Sequence, residues 1–447
     1  MKRKKLFISL TAVCAVLVFL GIFVLMWYVG DSYKDFKKFS KEFAIEGLDD
    51  GAVPQGMTAY PSNYVYDVDE TGKEKVKPQQ YFLVSSYMSD GSASRIYVTV
   101  QLTDDKNKVT GYRYIGFVTL ENEDGTPHLG HVGGIATNGA FLWVGHDDNV
   151  LVATASSKDY ENILREIILK AQINLSGEAE EIQSVKFTSS FKANCNASFM
   201  VYFDDARYTD ITYDRLYVGE FYRKGNYETD KNHRIETPNG YKNTAFMYEY
   251  NVDKKASSEN PYGLTRIDQD EKDKTLSDNV PKIQKIFSIP EKIQGVAFSG
   301  RKGSNTTSSD PESMVVLSQS YGLANSHLLC FDWKLATESA NRELYRSIAG
   351  ESFAYKDVYR NRSNGDKTPY TDSGVYVYYL DKNNEKMFVN DYSVPSMSEG
   401  MCTATKTGSN AAAITDVYVL FESGSKKYNF FTRESIKDVF RFVPTFR

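Results

Sequence analysis

Ten hydrogen-bonding residues recur in this 447-residue chain at two matching places of a fivefold internal repeat. The first set is Gln55, His131 (or its neighbour Val132), Asn196, Gln294 and Glu399. They sit in small-residue junctions: Val53-Pro54-Gln55-Gly56-Met57, His131-Val132-Gly133-Gly134-Ile135, Cys195-Asn196-Ala197-Ser198-Phe199, Ile293-Gln294-Gly295-Val296 and Ser398-Glu399-Gly400-Met401. The second set is Ser86, His146, Glu220, Gln319 and Glu422. These end the apolar segment that follows each junction, as in Leu83-Val84-Ser85-Ser86-Tyr87 and Val419-Leu420-Phe421-Glu422-Ser423. Carboxylate and amide oxygens suit a hard cation, Ca²⁺ or another divalent ion, for which Asn196, Glu220, Glu399 and Glu422 are the candidate ligands. Three of the five histidines cluster as His128-x-x-His131 and His146-Asp147-Asp148, a set that would suit a transition metal with one open position, although the spacing matches no zinc signature. Other chemistry is poorly matched. Ser85-Ser86 lacks the flanking glycines of a nucleophile elbow, and Gly133-Gly134 opens no helix that would cradle a dinucleotide.

The elements that must position these residues follow from the repeat. Each junction is preceded by a strand-like segment, such as Gly116-Phe117-Val118-Thr119-Leu120 or Lys285-Ile286-Phe287-Ser288-Ile289, and followed by another. Repetition of this kind is the signature of radial or linear repeat architectures. The expected fold is all-β, a β-propeller of five or six four-stranded blades, with an open array of β-sandwiches as the alternative. Radial repetition hides strand edges and brings both sets of polar residues to one mouth of a central channel. The junctions lie roughly 60 to 105 residues apart, against about 40–50 for a bare blade, so every repeat must carry insertions. Apolar spacing predicts that one insertion, Lys158 to Gln172, is an amphipathic helix. Val375-Tyr376-Val377-Tyr378-Tyr379 reads as a displaced strand of the fourth repeat or as part of a sixth blade. Ring closure should set Val439-Phe440-Arg441-Phe442-Val443 beside the segment around Phe43.

At the N-terminus, Lys2-Arg3-Lys4-Lys5 precedes an uncharged apolar run from Leu6 to Gly30, long enough to span a bilayer. Basic residues on the short side favour a cytoplasmic N-terminus and an exported C-terminal part. The expected organisation is a cytoplasmic tail over 1–5, a transmembrane signal anchor over 6–30, a helical stalk over 31–42 and a β-propeller ectodomain over 43–447. That makes a single-pass cell-membrane protein with an extracellular domain; a cleaved signal peptide is the competing reading. A net charge of -5 argues against nucleic acid as a partner. The 4 cysteines, one of them in the apolar run, define no disulfide framework.

The repeats resemble bacterial extracytoplasmic β-propellers of the gluconolactonase and strictosidine-synthase-like type. The residues that carry this are Gln55-Gly56-Met57, Leu83-Val84-Ser85-Ser86-Tyr87 followed by Ser94-Arg95-Ile96-Tyr97-Val98, and His131-Val132-Gly133-Gly134-Ile135 followed by Leu142-Trp143-Val144. These are blade motifs, so they bear on fold more than on activity. The resemblance implies a divalent cation at the channel mouth, with Glu399 and Asn196 as counterparts of that family's ligands; no Asp occupies the matching positions. Two functions are therefore expected. The first is a membrane-anchored extracellular propeller that binds a partner protein or cell-surface glycan. The second is a metal-dependent hydrolase or lactonase-like enzyme acting at the channel mouth.

Overall fold

The computed structural model describes residues 35–62, 79–203, 214–253, 260–267, 280–301, 312–404 and 413–446, apart from isolated positions, together with Leu17, Val18 and Gly21. The run expected to span a membrane, 6–30, otherwise lies outside the described residues, as do 1–5 and 31–34. Among the described residues no helix is long and apolar enough to cross a membrane.

The described chain is mainly β and is organised as five large sheets, each with a core of four antiparallel strands, and two small two-stranded ones. Sheet 1 runs Ala52–Ser62, Gln79–Met88, Arg95–Thr103, Val109–Glu121. Sheet 2 runs Ile135–Thr137, Phe141–His146, Asn149–Thr154, Ser189–Lys192. Sheet 3 runs Phe199–Phe203, Arg215–Gly219, Ala245–Asn251, Ile283–Ile289. Sheet 4 runs Ile293–Arg301, Glu312–Gln319, Ser326–Asp332, Phe388–Val394. Sheet 5 runs Ser398–Thr403, Val417–Phe421 and Asp438–Phe442, and its fourth strand is Ser40–Ala44 from the other end of the chain. The first strands touch one another in a closed cycle, sheet 1 to 2 to 3 to 4 to 5 and back to 1.

Glycine makes that cycle possible. A Cβ on Gly295 would lie 2.4 Å from the Glu399 carbonyl oxygen, and one on Gly400 would lie 2.5 Å from the Met57 amide nitrogen. On Gly134 it would lie 2.7 Å from the Met200 amide, and on Gly56 3.0 Å from that of Ile135. The requirement here is for space between backbones rather than for an unusual φ. Serine hydroxyls stitch the same seams. Ser85 donates to the Val132 carbonyl at 2.9 Å, and the Ser318 and Ser398 hydroxyls lie 2.6 Å apart.

The two chain ends lock together as the sequence suggested, with Phe43 opposite Val439. Arg441 binds Glu42 at 2.7 Å and Asp416 at 3.2 Å, and Tyr112 donates to Glu42 at 2.7 Å. The helical stalk expected over 31–42 is replaced, over its described part, by a short 3₁₀ turn at Phe36–Lys38 and the strand Ser40–Ala44. The spacing of Phe36, Phe39 and Phe43 looked helical. Instead, Phe39 stacks on Phe442 at 4.5 Å, Phe36 packs on Phe440 at 4.6 Å, and Phe43 meets Phe82.

Among the insertions, the expected helix forms at Ile163–Ser176, capped by the Asn162 side chain on the Arg165 amide and ended by Gly177 at φ 69°. Its face of Ile163, Leu164, Ile167, Ile168 and Ala171 is buried. Tyr376–Tyr379 lies in the chain between two strands of sheet 4 but is displaced from that sheet: it pairs in parallel with Ile283–Ile289, beyond the four core strands of sheet 3.

The glycine seams give a direct test. Gly295→Ala and Gly400→Ala should each destabilise the protein by about 1–3 kcal/mol, the usual cost of overpacking. Gly111→Ala, where a Cβ meets nothing within 4 Å, should leave the melting temperature unchanged. Equal melting of all three variants would show that the seams are not close-packed.

Candidate functional site

All five residues of the first set line one cavity of about 390 Å³. Each comes from a different sheet or from the loop leading into it: Gln55, His131, Asn196, Gln294 and Glu399. Local backbone geometry aims three of them. The pairing of first and second strands slips between Pro54 and Gly56, between Ile293 and Gly295, and between Ser398 and Met401. Gln55, Gln294 and Glu399 occupy those bulges, and a bulge re-aims a side chain out of the regular alternation. In sheets 2 and 3 the first strand starts only at Ile135 and Phe199, so His131 and Asn196 reach the cavity from approach loops.

Of the second set, only Glu422 lines the cavity; Ser86, His146, Glu220 and Gln319 do not. The reason is the period of two along a strand. Gly145 and Asp147 line the cavity, and His146 between them points elsewhere, its Nδ1 donating to the His131 carbonyl at 2.9 Å. Likewise Phe221 and Ser320 line it, each one residue beyond the expected position. Glu422 escapes this alternation because the strand ends at Phe421 and the chain turns into a 3₁₀ segment at Glu422–Gly424. Ser86 is fully buried in sheet 1. Gln319 donates to the Glu291 carbonyl at 2.8 Å. Glu220 is buried and accepts from His233 Nδ1 at 2.6 Å and from the Phe246 amide at 2.8 Å. Tyr227, Tyr321 and Tyr428 complete the wall from loops that carry no repeat signal. A one-residue shift of the second set would have found Asp147, Phe221 and Ser320.

The metal set drawn from the sequence is thereby changed. Asn196, Glu399 and Glu422 share the cavity, whereas Glu220 is committed to His233. His128 and His146 meet edge to face at 4.6 Å, and the His128 Nδ1 pairs with the Asn122 side chain at 2.9 Å. Among the described residues there is no group of three or more His, Cys, Asp or Glu placed to hold a metal ion.

Hydrogen bonds fix the polar side chains. The Gln55 amide nitrogen donates to Glu422 Oε2 at 3.2 Å, leaving its oxygen to accept from His131 Nδ1 at 3.0 Å. His131 therefore carries its neutral-state proton on Nδ1. Burial lowers its pKa, helped by nearby Lys427. The Gln294 amide donates to Glu399 Oε1 at 3.2 Å. Burial pushes the Glu399 carboxyl well above the usual carboxylate range, and repulsion from Glu422 adds to it. Burial also raises Glu422, to about 7, against the opposing pull of Lys427 and the Gln55 hydrogen bond. Burial thus favours the protonated form of both carboxyls.

No protein-family model matches the chain, and no curated protein matches it.

The carboxyl pair makes stability depend on pH in a defined direction. A carboxyl whose pKa is raised on folding favours the folded state fully below its unfolded pKa, and that contribution is lost as pH rises through the folded pKa. For Glu422 the window runs from about 4.5 to about 7. Glu422→Gln and Glu399→Gln should therefore raise the melting temperature relative to wild type at pH 8 and change it little at pH 4.5. Thermal melts across that range check this; parallel curves for wild type and variants would remove the pair as the source.

Proposed function

We propose that the chain is a five-bladed β-propeller, held to a membrane through its Leu6–Gly30 run, that binds a small polar group of a partner protein or cell-surface glycan in its central cavity. The observation that carries this reading is convergence: all five sheets deliver a hydrogen-bonding side chain from the same point of the repeat to one cavity. Five sheets whose first strands touch in a closed cycle support the propeller. So does the strand from the N-terminal side that completes the last sheet, since exchange of this kind removes an exposed edge. A concave site with a few convergent polar groups and aromatic walls is the ordinary form of a ligand pocket. The alternative, a metal-dependent hydrolase or lactonase, has less support because Glu220 lies outside the cavity.

Asn196 is exposed and lines the cavity, so a bulky residue there fills the space without disturbing a core. On arrays of immobilised glycans and peptides, the wild-type protein should show saturable binding that Asn196→Trp weakens at least tenfold, with an unchanged melting temperature. Undiminished binding by Asn196→Trp would place the ligand elsewhere.

A further inference from the structure

We propose that the group recognised in this cavity is a cation of the ammonium class, such as the amine of an amino sugar, a polyamine or a lysine side chain. The inference rests on the reading of the cavity as a ligand site and names the chemistry of its ligand. Asp147, Glu399 and Glu422 line the cavity, and no lysine or arginine does so among the described residues. An anionic ligand would find three carboxyls and no basic side chain on that wall among the described residues. Much of the remaining wall is aromatic. Phe221 meets Tyr227 at 5.5 Å and Tyr321 at 5.9 Å, with Tyr428 on another loop. Ring faces of this kind attract ammonium groups.

The hydrogen bonding within the cavity points the same way. Glu399 is 5 % exposed, yet only its Oε1 is hydrogen-bonded, to Gln294. Glu422 likewise uses only Oε2, for Gln55. Each carboxyl is thus oriented by one amide and keeps a second oxygen without a partner among the described residues. An ammonium carries three N–H donors and no acceptor, which matches carboxyl oxygens left without a donor. Two basic side chains beside the wall are hydrogen-bonded to tyrosine hydroxyls. Lys427 donates to the Tyr87 hydroxyl at 2.7 Å, and Arg223 donates to the Tyr321 hydroxyl at 2.6 Å and lies over that ring. For a divalent ion, by contrast, no group of three or more His, Cys, Asp or Glu is suitably placed among the described residues.

Charge balance gives the proposal a signature. Burial raises both carboxyls; a bound ammonium takes over the charge compensation, and proton is released to solvent. The other titratable groups around the pair are His131, Asp147, Tyr87, Tyr428 and Lys427, and burial lowers the pKa of His131. Affinity should therefore rise as pH increases from 5.5 to 8.

The test is calorimetry on the full chain with glucosamine oligomers and cadaverine, against N-acetylglucosamine oligomers as the uncharged counterpart and calcium chloride as the metal. The expected result is binding of the amines at least tenfold tighter than of the acetylated form. It should be accompanied by proton release, seen as a buffer-dependent heat, and weakened at least tenfold in Glu399→Gln/Glu422→Gln. That variant should fold, since it removes buried charge. Asn196→Trp serves as the control for location. Equal binding of the acetylated form, blocked by Asn196→Trp, would overturn the ammonium assignment and leave the cavity as the ligand site. Stabilisation by calcium that is lost in the double variant would overturn it in favour of a metal. Absence of binding by both amines at millimolar concentration would overturn it as well.

Discussion

The close approach of the five first strands is the constraint on which the rest of the molecule depends. At Gly56, Gly134, Gly295 and Gly400 the backbones of neighbouring sheets come so near that a Cβ would fall within 3.0 Å of a main-chain atom. Backbone contact of this kind narrows the centre and fixes the order of the sheets. It also sets the positions next to those glycines where a side chain can only project into the remaining space. The cavity is what is left when five strands pack this tightly and their bulged residues turn inward.

Closure of the array rests on a different kind of contact. Sheet 5 is assembled from residues about 400 positions apart, so its pairing carries a large loss of chain entropy that local contacts must offset. Stacked aromatic rings do much of this, with Phe36, Phe39 and Phe43 covering the sheet that the C-terminal strand would otherwise expose. Glu42 adds specificity, since it accepts from both Arg441 and Tyr112 and so ties sheet 5 to sheet 1. In sheet 3 a buried Glu249 plays a similar part, held by Arg215 at 3.2 Å and the Tyr217 hydroxyl at 3.0 Å. Leaving any such carboxylate without its partners would cost several kcal/mol, roughly 3–5 for a broken buried pair.

The cavity carboxyls stand apart from these structural pairs. Glu42 and Glu249 are each matched to a basic side chain, whereas Glu399 and Glu422 are matched to amides and repel each other. A protein that needed only stability would place an apolar pair here. The retained acidity is therefore best understood through what enters the cavity, and perturbed titration in a cleft is a recurrent mark of functional sites.

The sequence by itself determined much of this. The recurring small-residue junctions, with a polar residue before glycine in three of them, pointed to five units and to one cavity shared by Gln55, His131, Asn196, Gln294 and Glu399, because close packing of the first strands recurs in each unit. The pairing of the segment around Val439 with that around Phe43 was legible for the same reason, as an incomplete last unit needs a fourth strand. The second set was not legible. Along a strand one residue decides the face, and Ser86, His146, Glu220 and Gln319 fall on the wrong side of that alternation. Glu422 reaches the cavity only because its strand stops early, a local event with no repeat behind it. Tyr227, Tyr321 and Tyr428 come from loops of unequal length, and only the tertiary structure brings such loops to one wall. The protonation of Glu399 and Glu422 was likewise beyond the sequence, since burial and mutual distance belong to the folded chain rather than to residue type.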